Sequence, residues 1–513
     1  MPEIFAKALS VCPVCLKTIP ANKVVGADGF IHMEKECPEH GPFDALLWEG
    51  HLESYQAWGG MPSTPVTPAG ARPTEKGCPY DCGLCEAHWR DGCCVLLEVT
   101  SRCNLRCPVC FASAREGTAQ EDPGLEEIGK LYDMLMERGG PFNIQLSGGE
   151  PTLRDDLDEI IALGMEKGFT FFQLNTNGLR IAEEEGYAGW LSRAGVSCVF
   201  LQFDGLRDSD YEALRGKALL SQKLRTVEAC EKAGLPVVLV PTIAPGINED
   251  SVGSILDFAL SHAPHVRGVH FQPISYFGRC DLPAVEQKRI TLPRILGDIE
   301  KQTEGRMKTS DFHGGGAESP YCSFHAAYRL GADGTIKALA KKNSGCCCGP
   351  SIPDEEPCCS DAEASCCAET EPCCSEAETS CCSEAEPCCN EVASCCTETT
   401  VSCCGTEQKT ARTVRSSEAR DFVAQQWGAR TSCCEDVPGT EASSLDAFLE
   451  EAVRQTFTVS GMLFQDAGNL ELERLKRCYI CETDPERGMV PFCAYNLTDT
   501  SGRALYRKGR DAR

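Results

Sequence analysis

The sequence predicts an α/β fold: a partial (β/α)6 TIM-like barrel with an N-terminal cysteine-rich ribbon and further cysteine-bearing extensions. Three observations predict it. Six short β-rich runs alternate with amphipathic helical patterns between residues 95 and 310. Several of these runs end in a tight set of polar residues or cysteines. The chain of 513 residues also carries 37 cysteines, grouped in short clusters. Six strand–helix units in series demand a parallel sheet, because each helix returns the chain to start the next strand in the same direction. Six units fall short of the eight of a complete barrel, and active residues belong at the C-terminal ends of the strands.

The elements follow in order. VLLEVT (95–100), FNIQLS (142–147), FTFFQLN (169–175), CVFLQFD (198–204), PVVLVPTI (236–243) and VRGVHFQP (266–273) have strand composition. Asp122 and Pro123 suit the N-cap and first position of a helix over LEEIGKLYDMLMERG. Leu157, Ile160, Ile161 and Met165 share one helical face, as do Val252, Ile255, Leu256, Ala259 and Leu260.

Composition bounds the function. With 42% hydrophobic residues the chain can bury a sizeable core, and a formal charge of −27 argues against nucleic acid as a partner. The longest apolar stretch, around Leu235 to Ala244, is too short to span a membrane. The N-terminus, MPEIFAKALSVCPVC, lacks the apolar region of an export signal. A cytoplasmic location and a reducing setting follow, in which the cysteines ligate metal rather than pair as disulfides.

The first strand runs into Cys103-Asn-Leu-Arg-Cys107-Pro-Val-Cys110. Three thiolates on one loop hold three irons of a [4Fe–4S] cluster, one fewer than the usual four. The fourth iron stays open to a chelating ligand. The second strand ends in Ser147-Gly148-Gly149-Glu150-Pro151, where two glycines admit a ligand's polar end to the backbone. Polar sets Asn175-Thr176-Asn177 and Gln202-Phe203-Asp204 close the third and fourth strands.

The Cys triplet, the GGEP turn and the six-unit pattern together resemble the radical S-adenosylmethionine (radical SAM) superfamily over about 210 residues. The resemblance implies that SAM chelates the open iron through its methionyl amine and carboxylate. Electron transfer from a donor of ferredoxin or flavodoxin type then releases a 5′-deoxyadenosyl radical, which abstracts hydrogen from substrate. It implies that Gly148, Gly149, Glu150 and Pro151 hold the methionyl amine. Asn175, Thr176 and Asp204 would lie near the ribose, and Gln272 on the adenine side. Such an enzyme is oxygen-sensitive and works anaerobically. Val109 stands where the family more often has an aromatic, a role open to Phe111.

Other cysteines suggest further metals. Cys12-Pro-Val-Cys15 and Cys37-Pro-Glu-His40 form two knuckles able to bind one tetrahedral ion, mononuclear iron or zinc. Cys78, Cys82 and Cys85 repeat the C-x3-C-x2-C spacing, and with Cys93 complete an auxiliary [4Fe–4S] set, zinc being the alternative. Cys322, Cys478 and Cys493 are candidates for a second auxiliary cluster. Cys481, Cys280 or one of Cys346 to Cys348 could complete it. Cys198 and Cys230 fit buried core positions. The sequences CPVCLK, GCPYDCGLC and VPFCAYNLTDTSGRALYR narrow the resemblance to one subfamily, over 1–345 and 440–508. That subfamily contains archaeal tetraether lipid synthases and bacterial radical SAM (seleno)proteins of the TrsS type. From the synthases it implies two auxiliary clusters and a mononuclear iron site.

The domain reading is 1–60 metal ribbon, 61–94 auxiliary Fe–S segment, 95–310 barrel, 311–345 auxiliary-cluster extension, and 435–513 C-terminal auxiliary segment. Between them, 346–434 reads as a disordered acidic insertion in which Cys-Cys doublets recur every seven or eight residues. The function expected is C–H activation on a small-molecule, lipid or peptide substrate. A soft-metal or metalloid-binding protein acting through the doublets is the alternative.

Overall fold

A computed structural model describes residues 3–59, 64–114, 122–281, 288–315, 318–331, 334–339, 416–428 and 455–507. Residues 1–339 with 412–513 make one compact unit and 340–411 another; every described residue lies in the first. The unit opens with an antiparallel meander, β1 Glu3–Val11, β2 Thr18–Val25, β3 Ile31–Cys37 and β4 Gly41–Trp48, followed by helix α1 Leu52–Gly59. Strand β3 shows why it forms: Ile31, Met33, Lys35 and Cys37 are buried and Glu34 and Glu36 exposed, the period-two alternation of a half-buried sheet.

The barrel follows. It comprises β5 Cys94–Thr100, β6 Val109–Cys110, α2 Leu125–Glu137, β7 Asn143–Gly148, α3 Leu157–Glu166, β8 Phe172–Thr176, α4 Leu179–Glu183 and α5 Tyr187–Ala194. It continues through β9 Cys198–Gln202, α6 Asp208–Arg215, α7 Leu220–Ala233, β10 Val237–Val240, β11 Thr242–Ile243, α8 Val252–Ser261 and β12 Val266–Pro273. All six predicted strands are present and lie side by side in chain order, β5-β7-β8-β9-β10-β12, every neighbouring pair parallel.

Local departures have local causes. Pro241 has no N–H to give a ladder, so the fifth strand divides into β10 and β11. Phe169 to Phe171 precede β8 rather than joining it; Phe169 packs on Tyr132 at 5.1 Å. The cap of α2 is Gly124, whose N–H donates to Glu127 Oε2 at 3.0 Å. Asp122 is diverted from capping because it accepts from Thr100 Oγ1 at 2.5 Å and pairs with Arg102, a charged and therefore stronger partner. Met165 turns outward at the end of α3 and is exposed, while Leu157, Ile160 and Ile161 are buried.

The largest departure is at the sheet edges. After β13 Arg279–Cys280 and α9 Leu292–Gln302 come β14 Ser323–Leu330, β15 Ile336–Ala338, helix α10 Ser416–Trp427, β16 Thr456–Met462, β17 Ile480–Asp484 and β18 Gly488–Pro491. Strand β16 adds in parallel beside β12, and β17 in parallel beside β5. Thus residues within 323–338 and 456–491 extend the central sheet at both edges. An open edge exposes a row of unpaired N–H and C=O groups, and these strands satisfy it. No hydrogen-bonded pair joins β16 to β17 among the described residues, so the barrel stays open.

Helix α10 also corrects the sequence reading, since it falls inside the 346–434 segment expected to be disordered. Its Trp427 is buried with Phe171, Cys198, Phe200 and Val238. The Cys doublets themselves, with Cys346 to Cys348, lie outside the described residues. No helix among the described residues is long and apolar enough to cross a membrane.

Candidate active site

The C-terminal ends of the parallel strands surround a cavity of about 250 Å³. Cys103, Cys107 and Cys110 line it, on the loop that leaves β5. The loop is clamped from behind by Arg279, buried in β13, whose Nε donates to Cys107 O at 2.9 Å and Nη1 to Ala114 O at 3.0 Å. Strand β13 also pairs with β6, fixing Cys280 opposite Val109. Burial, and then the Glu150 carboxylate, push the Cys103 thiol up to about 12.

Gly148, Gly149 and Glu150 line the same cavity, facing the three cysteines. The glycines are needed for a different reason than ligand access alone. A Cβ on Gly148 would lie 2.1 Å from Thr100 O, and one on Gly149 2.0 Å from Arg102 O. Their absence lets the turn seat against the cysteine loop, where Gly149 N–H donates to Thr100 O and Glu150 N–H to Arg102 O, both at 2.8 Å. Glu150 is a brace as well as a wall: its carboxylate accepts from Thr152 Oγ1 (2.7 Å), Thr176 Oγ1 (2.6 Å) and Asn177 N–H (2.8 Å). Pro151 is buried in the short turn that follows and does not line the cavity.

Asn175, Thr176 and Gln272 line the cavity. Asp204 does not. It is wholly buried, and both its oxygens accept from Arg215, at 2.7 Å each. Arg215, at the end of α6, is the residue that reaches the cavity, and Asp204 aims it. Gln202 also lines the cavity; its side-chain oxygen accepts from Lys223 Nζ at 3.1 Å. Burial brings Lys223 down to about 8. Deeper in the barrel the lining becomes Gln145, Phe200, Val240 and His270, and Phe111, Phe277, Phe464 and Phe492 form an aromatic side wall. The rings of Phe111 and Phe492 meet at 5.3 Å.

His270 is enclosed by protein, and burial lowers its pKa to about 4. The unfolded state, titrating near 6.5, binds the extra proton throughout the window between these values. Stability is therefore lost as pH falls from about 6.5 to 4, by up to about 3 kcal/mol. The metal-free His270→Gln variant should show a flatter dependence of the denaturation midpoint on pH in that window. An unchanged slope would mean that the imidazole titrates normally.

The other cysteines divide. Cys12, Cys15, Cys37 and His40 bring their ligand atoms within 4.8 Å of one another, and three sulfurs with one nitrogen at that spacing suit a tetrahedral ion. Cys78, Cys82 and Cys85 line a small cavity with His88 and Lys476. Cys93 is not in that lining; its sulfur lies 3.7 Å from that of Cys94. Cys322, Cys478 and Cys493 are drawn together from distant parts of the chain, within electrostatic range of one another. Arg474 Nη2 donates to Cys322 Sγ at 3.4 Å and Gln465 N–H to Cys493 Sγ at 3.3 Å. Cys481 is buried in β17, and Cys198 and Cys230 are core thiols. His88 Nε2 hydrogen-bonds Cys478 O at 2.7 Å, tying the Cys78–Cys85 loop to the second set.

Residues 97–259 match the model of the Radical SAM superfamily. The match runs from β5 to α8 of the barrel. Residues 4–49 match the HMPTM N-terminal zinc ribbon domain. The 7,8-dihydro-6-hydroxymethylpterin dimethyltransferase of Methanocaldococcus jannaschii is 40% identical over 309 residues, 60% of this chain and 60% of that protein. The Fe-coproporphyrin III synthase of Methanosarcina barkeri is 34% identical over 237 residues, 44% of this chain and 57% of that protein. The probable GTP 3′,8-cyclase of Methanothermobacter thermautotrophicus is 27% identical over 279 residues, 50% of this chain and 87% of that protein. The chain thus spans about 60% of the length of the first two relatives. All three are enzymes by name, and none of them is a tetraether lipid synthase.

Proposed function

We propose that the chain is a radical SAM enzyme that cleaves S-adenosylmethionine reductively and uses the product radical to activate a C–H bond. One observation carries this reading: Cys103, Cys107 and Cys110 share a cavity wall with Gly148 to Glu150, Asn175, Thr176, Arg215 and Gln272. A [4Fe–4S] cluster on the three thiolates would supply the electron and the open iron for SAM. The chain's own groups do the rest. The Gly148–Glu150 turn offers backbone to the methionyl amine. Arg215, aimed by Asp204, offers a fixed cation to the methionyl carboxylate. Asn175, Thr176 and Gln272 offer hydrogen bonds on the nucleoside side. The aromatic side wall excludes water from the reacting centre.

For the remaining metals, the ribbon residues Cys12, Cys15, Cys37 and His40 hold zinc or iron. Cys78, Cys82 and Cys85 hold one auxiliary cluster, and Cys322, Cys478 and Cys493 another. A ferredoxin- or flavodoxin-type protein supplies the electron. A compact, hydrogen-bonding substrate suits the carboxamides of Gln145, Asn175 and Gln202 best. The pterin named for the Methanocaldococcus relative is the first probe of that class. Methyl transfer, cyclisation and carbon–carbon bond formation are all open to the same radical.

The test is direct. With SAM and dithionite under anaerobic conditions, the reconstituted chain should release 5′-deoxyadenosine and methionine in equal amounts. 7,8-Dihydro-6-hydroxymethylpterin should accelerate the release if it is a substrate. No release from protein carrying iron would end the proposal. Metal analysis supplies a separate expectation: about 12 irons from three four-iron clusters plus one ribbon ion per chain. Iron near four with zinc for the remainder would remove the auxiliary clusters from the proposal.

A further inference from the structure

The cavity has a floor, and α10 provides it. Helix α10 packs through Trp427 on Phe171, Cys198 and Val238, which stand at the N-terminal ends of β8, β9 and β10. Arg420 anchors the helix: its guanidinium donates to Gly139 O at 3.3 Å and to Pro141 O, and lies 5.1 Å from the Phe142 ring centre. Asn143 Nδ2 returns a hydrogen bond to Arg420 O at 3.0 Å. At the other end of the helix, Trp427 is only 9% exposed. Its ring centre is 5.0 Å from that of Phe200 and 5.9 Å from that of His270, in a T-shaped arrangement with the imidazole. Its Nε1 donates to Thr458 Oγ1 at 3.0 Å, so the indole's one polar atom is satisfied.

Phe200 and His270 are themselves cavity-lining residues, so Trp427 is one side chain below the space they bound. His270 is held from the side by Ser460, Nδ1 to Oγ at 2.9 Å. Its second ring nitrogen has no partner among the described residues. The deepest surface of the cavity is therefore uncharged, formed by Phe200, Val240, the Gln145 carboxamide and the His270 imidazole.

We propose that Trp427 closes the reaction chamber from below and sets its depth, making it a specificity-determining residue for the end of the substrate farthest from SAM. That end is small and uncharged, with hydrogen-bonding groups matched to His270 and Gln145. The proposal rests on the reading of this cavity as the reaction chamber. A large aromatic removed from such a position leaves a hole that neighbours fill only in part. Trp427→Ala should thus open a second entrance to the chamber through the barrel's N-terminal end, whereas Trp427→Phe should keep it shut.

Access to His270 reports on the floor. The cluster-loaded full chain, with its upper opening filled by S-adenosylhomocysteine, is treated with diethyl pyrocarbonate. Labelling is followed on the tryptic peptide 268–279, in which His270 is the one histidine. We expect slow labelling in the native chain and in Trp427→Phe, and at least tenfold faster labelling in Trp427→Ala. Millimolar indole should restore protection to Trp427→Ala. The buried His88 should stay protected throughout. A folded Trp427→Ala protein that labels His270 at the native rate overturns the proposal. So does an equal acceleration at His88, or a native His270 as reactive as the half-exposed His265. Labelling needs no turnover, so it is read independently of whether 5′-deoxyadenosine is ever formed.

Discussion

Replacing Cys103, Cys107 and Cys110 together by alanine is expected to reduce 5′-deoxyadenosine formation to the level of a protein-free control. The loss should be complete rather than partial because the three sulfurs act as one unit: a cluster short of its thiolates is not retained. The same variant should lose about four irons per chain and keep its ribbon ion. Its thermal midpoint should move little, because the loop stays pinned by Arg279 to Cys107 O and Ala114 O through backbone contacts that alanine preserves. High-performance liquid chromatography of the nucleoside, with iron and zinc analysis on the same sample, reads all three outcomes. A triple variant that still cleaves SAM would assign the chemistry to another set of cysteines, with Cys78, Cys82 and Cys85 next in line.

The second large effect is on stability. Arg215→Leu would leave Asp204 wholly buried with the Thr242 N–H, at 3.1 Å, as its remaining charge-stabilising donor near the cavity. Removing one partner from a buried ion pair costs about 3–5 kcal/mol, because the desolvated charge survives without compensation. We expect a loss of that order in denaturant titrations at pH 8. The loss should be smaller at pH 5, where an uncompensated carboxyl can take up a proton. Arg215→Leu with Asp204→Asn should recover much of it, since the orphaned charge is then gone. A single variant costing under about 1 kcal/mol would be the value of an exposed pair, contradicting the burial of this one. SAM binding should weaken in both variants, which separates the role of Arg215 in the cavity from its role in the fold.

These two residues show where a sequence is legible and where it is not. The cysteine triplet is local: its spacing is its chemistry, and the preceding strand is visible in VLLEVT. The six parallel strands were legible for the same reason, each being a short apolar run between helical patterns. Asp204 was visible as a polar residue at a strand end, but its partner sits 11 residues further on in α6, and nothing in the local pattern joins them. Arg279 is equally silent; its clamp on the cysteine loop crosses 172 residues. Gly148 and Gly149 read in the sequence as glycines that admit a ligand, and the structure adds a second need for them, the close approach of the chain's own backbone. Strands β16 and β17 lie beyond the strand–helix alternation, so neither period nor spacing linked them to the barrel edges. Helix α10 was hidden by its surroundings. The composition of 346–434 is dominated by acids and cysteines, and that average concealed a short segment, SSEARDFVAQQW, with the arginine and aromatics of a packed helix.

The junction between β14 and β16 has a consequence for how this chain tolerates length. The two strands are antiparallel neighbours, with Leu330 N–H donating to Gln455 O at 2.7 Å, and β15 pairs on the other side of β14, so the chain leaves the sheet from β15 and re-enters it at β16. Closing a flexible loop costs entropy that grows only with the logarithm of its length, about 0.6 kcal/mol for each doubling. Among the described residues between these strands, α10 is pinned to the barrel. A flexible insertion on either side of α10 would therefore cost little in closure entropy, whereas one within the helix would disturb its packing on the barrel. The molecule thus has a port where evolution, or an engineer inserting a reporter domain, can change the chain's size without renegotiating its core.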